Sequence, residues 1–213
     1  MRKRGRIDEG VSMGGYRSKR ILDLAAAGTA FLVFAPIAAA VCIAIWLDDR
    51  GSPLISQPRI GDARQSFTIL KFRSMKNSQV TRVGRWLRRT GIDELPQFVN
   101  VWRGDMSVVG PRPLTAGDIE RLGWNDASHD WRYSTKPGIT GISQLLAGRG
   151  ARSCERLDRL YLRRQGLLLD LRLVALSFAV NVFGKREIRR RLRATGERRR
   201  KMRYSRGERW RRT

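Results

Sequence analysis

The longest feature in the hydrophobic pattern is a run of 24 residues, Leu24 to Leu47, without a charged side chain. That exceeds the length usually read as a transmembrane helix. Pro36 falls in its middle, where the ring removes a backbone hydrogen bond and kinks or breaks a helix. Split there, Arg20 to Ala35 extends roughly 24 Å and Ile37 to Leu47 roughly 16 Å at about 1.5 Å per residue. Neither half alone crosses a hydrocarbon core of about 30 Å. Arg17, Lys19 and Arg20 precede the run, and Arg50, Arg59 and Arg64 follow it. Basic flanks on both sides place both ends at the cytoplasmic face. A re-entrant helical hairpin broken at Pro36 meets both demands, and a kinked transmembrane helix is the alternative that the pattern leaves open. A cleavable signal peptide, with Ala38-Ala39-Ala40 as its cleavage region, is disfavoured because the apolar part is too long.

A second apolar stretch, Leu167 to Phe183, is interrupted by Asp170 and Arg172. It predicts a helix at the membrane interface or in the core rather than a span. Ser66 to Phe72 has the composition of a short strand. Val80 to Thr90 places Val83, Trp86 and Leu87 at helical spacing, with Arg82, Arg85, Arg88 and Arg89 alongside, which on spacing alone reads as the solvated face of a helix. The expected fold class is α+β, mainly helical, with one compact domain, an N-terminal Pro-broken membrane hairpin and interfacial amphipathic helices. The division is a basic segment at 1–18, the hairpin at 19–48, the compact domain at 49–184 and an Arg-rich tail at 185–213.

Composition narrows the partners. A chain of 213 residues holds one domain of ordinary size plus extensions. Its net charge of +25 calls for an anionic partner: nucleic acid, an anionic membrane surface or phosphorylated substrates. Fifteen basic and three acidic residues between Lys185 and Thr213 put +12 of that charge in the tail. Attachment to anionic membrane lipid and a solvated tail are both open readings of it. Two cysteines and one histidine, His129, make no case for a disulfide framework or a zinc site.

Within the basic middle of the chain, Asp93 and Glu94 are an acidic pair. From Arg59 to Arg112 there are 11 Lys or Arg residues against four acids. Surrounding cations are expected to keep such carboxylates ionised, able to bind a metal or to attack as nucleophiles, while the cations hold phosphate. The pairs Asp8-Glu9 and Asp48-Asp49 are read as solvated. In Gly110-Pro111-Arg112-Pro113 two prolines restrict the backbone around Arg112, which suits a bidentate grip on phosphate and equally suits a rigid turn. Lys136-Pro137-Gly138-Ile139-Thr140-Gly141 and Gly148-Arg149-Gly150 are further turn-rich runs. There is no Gly-rich nucleotide loop of the dinucleotide or Walker type.

Taken in order, these runs resemble one family: the monotopic phosphoglycosyl transferases, also called bacterial sugar transferases or undecaprenyl-phosphate sugar phosphotransferases. The resemblance covers roughly Lys19 to Asp170. It rests on Lys19-Arg20-Ile21-Leu22-Asp23, the Pro36-broken hairpin, Gln57-Pro58-Arg59-Ile60-Gly61 and Lys71-Phe72-Arg73-Ser74-Met75. It continues through Asp93-Glu94-Leu95-Pro96-Gln97, Gly104 to Pro113, and Lys136 to Gly141. It implies a bacterial inner-membrane enzyme, monotopic, with its catalytic domain on the cytoplasmic face. The implied reaction moves a phosphosugar from a UDP-sugar to polyprenol phosphate, releasing UMP. Asp93 is the implied nucleophile, forming an aspartyl phosphosugar, and also a ligand of Mg²⁺; Glu94 assists. Phosphate-binding candidates are Arg88, Arg112, Lys71, Arg73 and Arg149, with Pro111 and Pro113 shaping the site. Asp158 and Asp170 match acidic positions of the family's later segment. A homodimer and other glycan-assembly enzymes are further partners, and no nucleic acid is expected. The rival class is a membrane-tethered basic protein that binds nucleic acid or anionic lipid without catalysis.

Overall fold

One helix, α1 (Lys19–Asp49), carries the whole apolar run and continues through Pro36, so the two halves appear as one helical element rather than two. The protein is represented by a computed structural model that describes residues 18–146, 150–184, 187–188 and 190. Both ends of α1 dock on the same body of protein. At the N-terminal end Ala27 enters the main core with Val101, Val109, Tyr161 and Leu173. At the C-terminal end Val41 and Ile45 pack with Phe72 and Leu87. Between them the helix is bare, with Leu32 83% exposed and Phe31, Val33 and Ile37 also open. Only 17% of the helix's most apolar stretch is buried, which rules out the core helix of a soluble domain as an account of its composition.

The N-terminal end is held by polar bonds that the sequence motif alone did not explain. Lys19 Nζ donates to Asp170 at 2.6 Å, to the Val109 carbonyl at 2.9 Å and to the Tyr161 hydroxyl at 2.9 Å. Arg20 donates to the carbonyls of Val101 and Trp102, where a short helix ends. Asp23 accepts from the Ser107 hydroxyl and the Val108 N–H. At the other end Arg73 pairs with Asp49, and Asp48 accepts the N–H of Val83. The expectation that Asp48 and Asp49 are solvated is therefore corrected for Asp49, whose side chain is 5% exposed: Arg73, just past the following strand pair, draws it in.

After α1 the chain forms an antiparallel pair, β1 (Leu54–Ile60) with β2 (Ser66–Phe72), in a register that sets Arg59 opposite Phe67, Gln57 opposite Ile69 and Ile55 opposite Lys71. A two-residue turn at Asn77 and Ser78, both at positive φ, closes the small hairpin β3 (Met75–Lys76) and β4 (Gln79–Val80). Helix α2 (Arg82–Thr90) follows, capped by the Thr81 hydroxyl, which accepts from the Gly84 N–H. Then come α3 (Gln97–Arg103) and β5 (Ser107–Val109), which pairs in parallel with β6 (Gly138–Thr140). Between these strands lie α4 (Ala116–Leu122), with a Thr115/Asp118 capping box, and a 3-10 segment at Ala127–Tyr133.

Helices α5 (Ile142–Leu146), α6 (Ala151–Arg164) and α7 (Leu167–Phe183) complete the described fold. The second apolar stretch is thus one helix over its whole predicted length. Leu173 of α7 enters the core, while Leu167, Leu171, Val174 and Phe178, spaced at helical intervals on one face, are exposed. The mixed, mainly helical fold class stands. The segment 1–17, Arg149 and most of the Arg-rich tail lie outside the described residues.

Candidate active site

The acidic pair stands at a break between helices. Helix α2 ends on Gly91 at φ 76°, a left-handed conformation that favours glycine, and the Asn181 side chain of α7 lies 3.3 Å from where a Cβ would stand. A single 3-10 turn, Ile92–Glu94, then carries both acids before Pro96 leads into α3. The turn projects Glu94 into a cleft and leaves Asp93 half-buried beside it.

That cleft, shallow and open to solvent, is lined by Arg59, Ile69, Lys71, Glu94, Gln97, Arg112, Pro113, Gly138, Ile139 and Gln144. Lys71 Nζ reaches Glu94 Oε1 at 3.3 Å. The wall opposite is built from the two turn-rich runs. Gly110 and Gly138 pass so closely that a Cβ on Gly138 would stand 2.0 Å from the Gly110 nitrogen, which only glycine permits. Three carbonyls then pin the proline-flanked arginine: Pro111 accepts from the Gly138 N–H at 2.9 Å, Arg112 from the Arg132 guanidinium at 2.8 Å, and Leu114 from the Ile60 N–H at 2.9 Å. With its backbone held on both sides, the exposed Arg112 side chain is free to meet an anion.

The charges are arranged to hold something negative. Arg59 has its guanidinium pKa lowered, first by burial and then by the like charge of Arg112, with Asp118 and Glu94 opposing. Two cations that repel each other across a cleft are relieved by an anion between them. Asp93 has its carboxyl pKa raised above the ordinary value of 3.8, first by burial and then by the neighbouring charge of Glu94; Lys71 and Arg88 oppose the shift. Burial first and Glu94 second together outweigh Lys71 and Arg88, neither of which forms an ion pair with Asp93 among the described residues, so the cations do not set the direction of the shift. Exposed Arg88 on α2 contributes charge to Asp93 without lining the cleft.

Of the expected site residues, Glu94, Lys71, Arg112 and Pro113 share the cleft, with Asp93 and Arg88 beside it and Pro111 buried in its wall. Arg73 is not part of it: its guanidinium is engaged by Asp49 at the end of α1, a structural tie. Arg149 lies outside the described residues, and Pro36 stands exposed in mid-helix. Asp158 and Asp170 are buried structural partners. Asp158 takes Arg132 at 3.2 Å, and burial raises its carboxyl pKa despite that cation. Sequence reasoning did not single out Arg59 as a residue of the cleft. Strand alternation could have found it, because the register puts Arg59, Ile69 and Lys71 on one face of the hairpin, and all three line the cleft.

No cluster of three or more metal-ligating side chains occurs among the described residues. Asp93 and Glu94 are the two adjacent carboxylates that the turn would offer a magnesium ion. That ion typically takes one or two carboxylates, completing its shell with water and substrate phosphate, and a cation there would relieve the repulsion that raises Asp93.

Comparison with known proteins identifies the family. The family profile described as bacterial sugar transferase matches residues 15–184. The undecaprenyl-phosphate glucose phosphotransferase of Komagataeibacter xylinus is 38% identical over 194 residues, covering 78% of this chain and 36% of the relative. The UDP-glucose:undecaprenyl-phosphate glucose-1-phosphate transferase of Caulobacter vibrioides is 37% identical, covering 73% of this chain and 66% of the relative. An exopolysaccharide production protein, PSS, of Rhizobium leguminosarum bv. phaseoli is 34% identical, covering 73% of this chain and 90% of the relative. The match thus spans about a third and two thirds of the first two relatives' lengths.

Proposed function

Because the chain belongs to the bacterial sugar transferase family, we propose that it moves a phosphosugar from a UDP-sugar to a polyprenol phosphate, of the undecaprenyl type named in its relatives. The reaction releases UMP and is the first membrane step in building a glycan. The observation that carries this reading is the acidic turn Asp93-Glu94 set against the cationic cleft of Lys71, Arg59 and Arg112.

The steps follow from the arrangement. Arg59, Arg112 and Lys71 hold the diphosphate, reducing the repulsion between it and an attacking anion. A carboxylate oxygen of Asp93 attacks the sugar-linked phosphorus, and the bond to the oxygen bridging toward uridine breaks, so UMP departs with that electron pair. A phosphate oxygen of the polyprenol phosphate then attacks the same phosphorus and displaces Asp93, leaving a polyprenyl diphosphate sugar and a restored carboxylate. Glu94, tied to Lys71, keeps the cleft wall charged and ordered. Asp93 and Glu94 are the residues that would hold Mg²⁺, which would neutralise charge on the phosphates when bound. The raised pKa of Asp93 suits the task, since a carboxylate less stabilised by its surroundings is the stronger nucleophile.

The membrane supplies the second substrate, and α1 supplies the attachment. Docking of both its ends on one cytoplasmic domain, with a bare apolar middle centred near Pro36, supports a re-entrant seating from that face. Thiol labels that cannot cross membranes should modify Ser18→Cys and Ser52→Cys from the same side of sealed vesicles. Modification from opposite sides would make α1 a crossing helix.

The activity test offers purified chain, Mg²⁺ and polyprenol phosphate to a panel of UDP-sugars and measures UMP. The expected result is release with at least one sugar, and its loss in Asp93→Ala. Equal release by Asp93→Ala removes the covalent mechanism. No release with any sugar, alongside binding that persists in Asp93→Asn, favours a binding protein instead.

A further inference from the structure

Helix α2 carries a cationic face that the site does not use. At about 100° per residue, Arg82, Arg85, Trp86 and Arg89 fall within about 100° of arc, opposite the buried Gly84 and Leu87. All four are exposed, Trp86 by 51%, and none of the three arginines has an acidic partner among the described residues. Arg88 falls on the flank, toward Asp93. The buried side of α2 packs on the C-terminal half of α1, through Leu87 and Val83 with Val41 and Ile45, and the Val83 N–H bonds Asp48 where α1 ends. The cationic face is therefore fixed next to the point at which a bare apolar helix leaves the bilayer.

We propose that the Arg82–Arg85–Trp86–Arg89 face of α2 is a docking surface for the headgroups of anionic phospholipids. Charge complementarity and position select this occupant. Three guanidiniums in one stripe, without an acidic partner among the described residues, match a layer of phosphates, and guanidinium forks grip phosphate bidentately. A half-exposed indole among them matches the headgroup level, where tryptophan concentrates. A short nucleic acid would meet the same charges, but the neighbouring lipid-facing surface of α1 sets this helix at the membrane. The consequence for the proposed reaction is geometric: α2 ends at Gly91, two residues before Asp93, so seating α2 on headgroups sets the height of the acidic turn above the lipid.

The test reads binding rather than turnover, so it stands apart from the proposed reaction. The full chain, with Cys42 and Cys154 replaced by Ser, receives an environment-sensitive fluorophore at Trp86→Cys and is reconstituted in nanodiscs carrying nitroxide-headgroup lipid. One set of discs is zwitterionic and the other contains about a third phosphatidylglycerol. Quenching should rise roughly threefold or more in the anionic discs. The rise should disappear in roughly 1 M salt, where the screening length is about 3 Å. It should also disappear in the exposed-surface variant Arg82→Gln/Arg85→Gln/Arg89→Gln, which retains the Arg-rich tail and so separates the two basic regions. Equal quenching in both discs, or an undiminished rise in the triple variant, overturns the proposal. A label that answers a duplex oligonucleotide in detergent but not anionic lipid assigns the face to nucleic acid and overturns it as well.

Discussion

Two carboxylates in this molecule have opposite surroundings. Asp170 is fully buried, and its oxygens accept from Lys19 at 2.6 Å and from Tyr161 at 3.0 Å. Asp93 is half-buried, has no bonded cation among the described residues and sits beside a second acid. The first arrangement satisfies a charge so completely that it has nothing left to offer a substrate. The second leaves a charge under-satisfied, which raises its pKa and keeps its electrons available. The same residue type is a joint in one place and a reagent in the other.

Breaking the joint should have the largest effect on stability. Asp170→Ala leaves Lys19 buried without its counter-ion and should lower unfolding free energy by about 3–5 kcal/mol, measured by denaturation in detergent. Replacing both partners, Lys19→Met with Asp170→Leu, should restore part of that, because the Lys19 charge is no longer stranded, although buried Asp23 then keeps only Ser107 and Val108. Should Asp170→Ala instead leave stability intact and abolish UMP release, Asp170 belongs to the chemistry and the contrast collapses.

The cation side of the cleft comes next. Arg59→Ala removes one of two guanidiniums that repel each other across the cleft. It should raise the KM for UDP-sugar roughly tenfold, the scale of one hydrogen bond to a charged group, with a smaller change in kcat. Arg73→Ala should instead loosen the end of α1 and leave that KM within about twofold, since its partner is Asp49. Reversal of these two results would reassign the phosphate grip.

The sequence showed the elements and half of the site for identifiable reasons. Ser66 to Phe72, Val80 to Thr90 and Leu167 to Phe183 were legible because hydrophobic period and flanking Gly and Pro are local signals. Asp93-Glu94 and the proline-flanked Arg112 were legible because the two acids are adjacent in sequence and both prolines adjoin Arg112. What stayed hidden depends on partners far along the chain. Lys19-Arg20-Ile21-Leu22-Asp23 could be seen as a motif but not as a dock, because its partners are Val101, Ser107, Val109, Tyr161 and Asp170. Arg73 was a candidate as part of the Lys71-to-Met75 motif, but the strand ends at Phe72 and its guanidinium turns to Asp49. Arg59 needed the hairpin register.

The smallest effect tests the strain at Asp93 itself. A carboxyl whose pKa is raised in the folded chain binds protons more readily there than in the unfolded chain, so stability falls as pH rises from the ordinary value of 3.8 through the raised one. Above the raised value the full penalty is present. Asp93→Asn removes the charge and should melt slightly higher than the parent near pH 7, while losing UMP release. As pH falls through the raised pKa the parent's carboxyl becomes neutral too, and the two melting curves should converge. A variant that melts lower at neutral pH, or a difference that widens in acid, would mean that Lys71 and Arg88 outweigh burial and Glu94. Asp93 would then be a satisfied carboxylate like Asp170, and its reactivity would need another source.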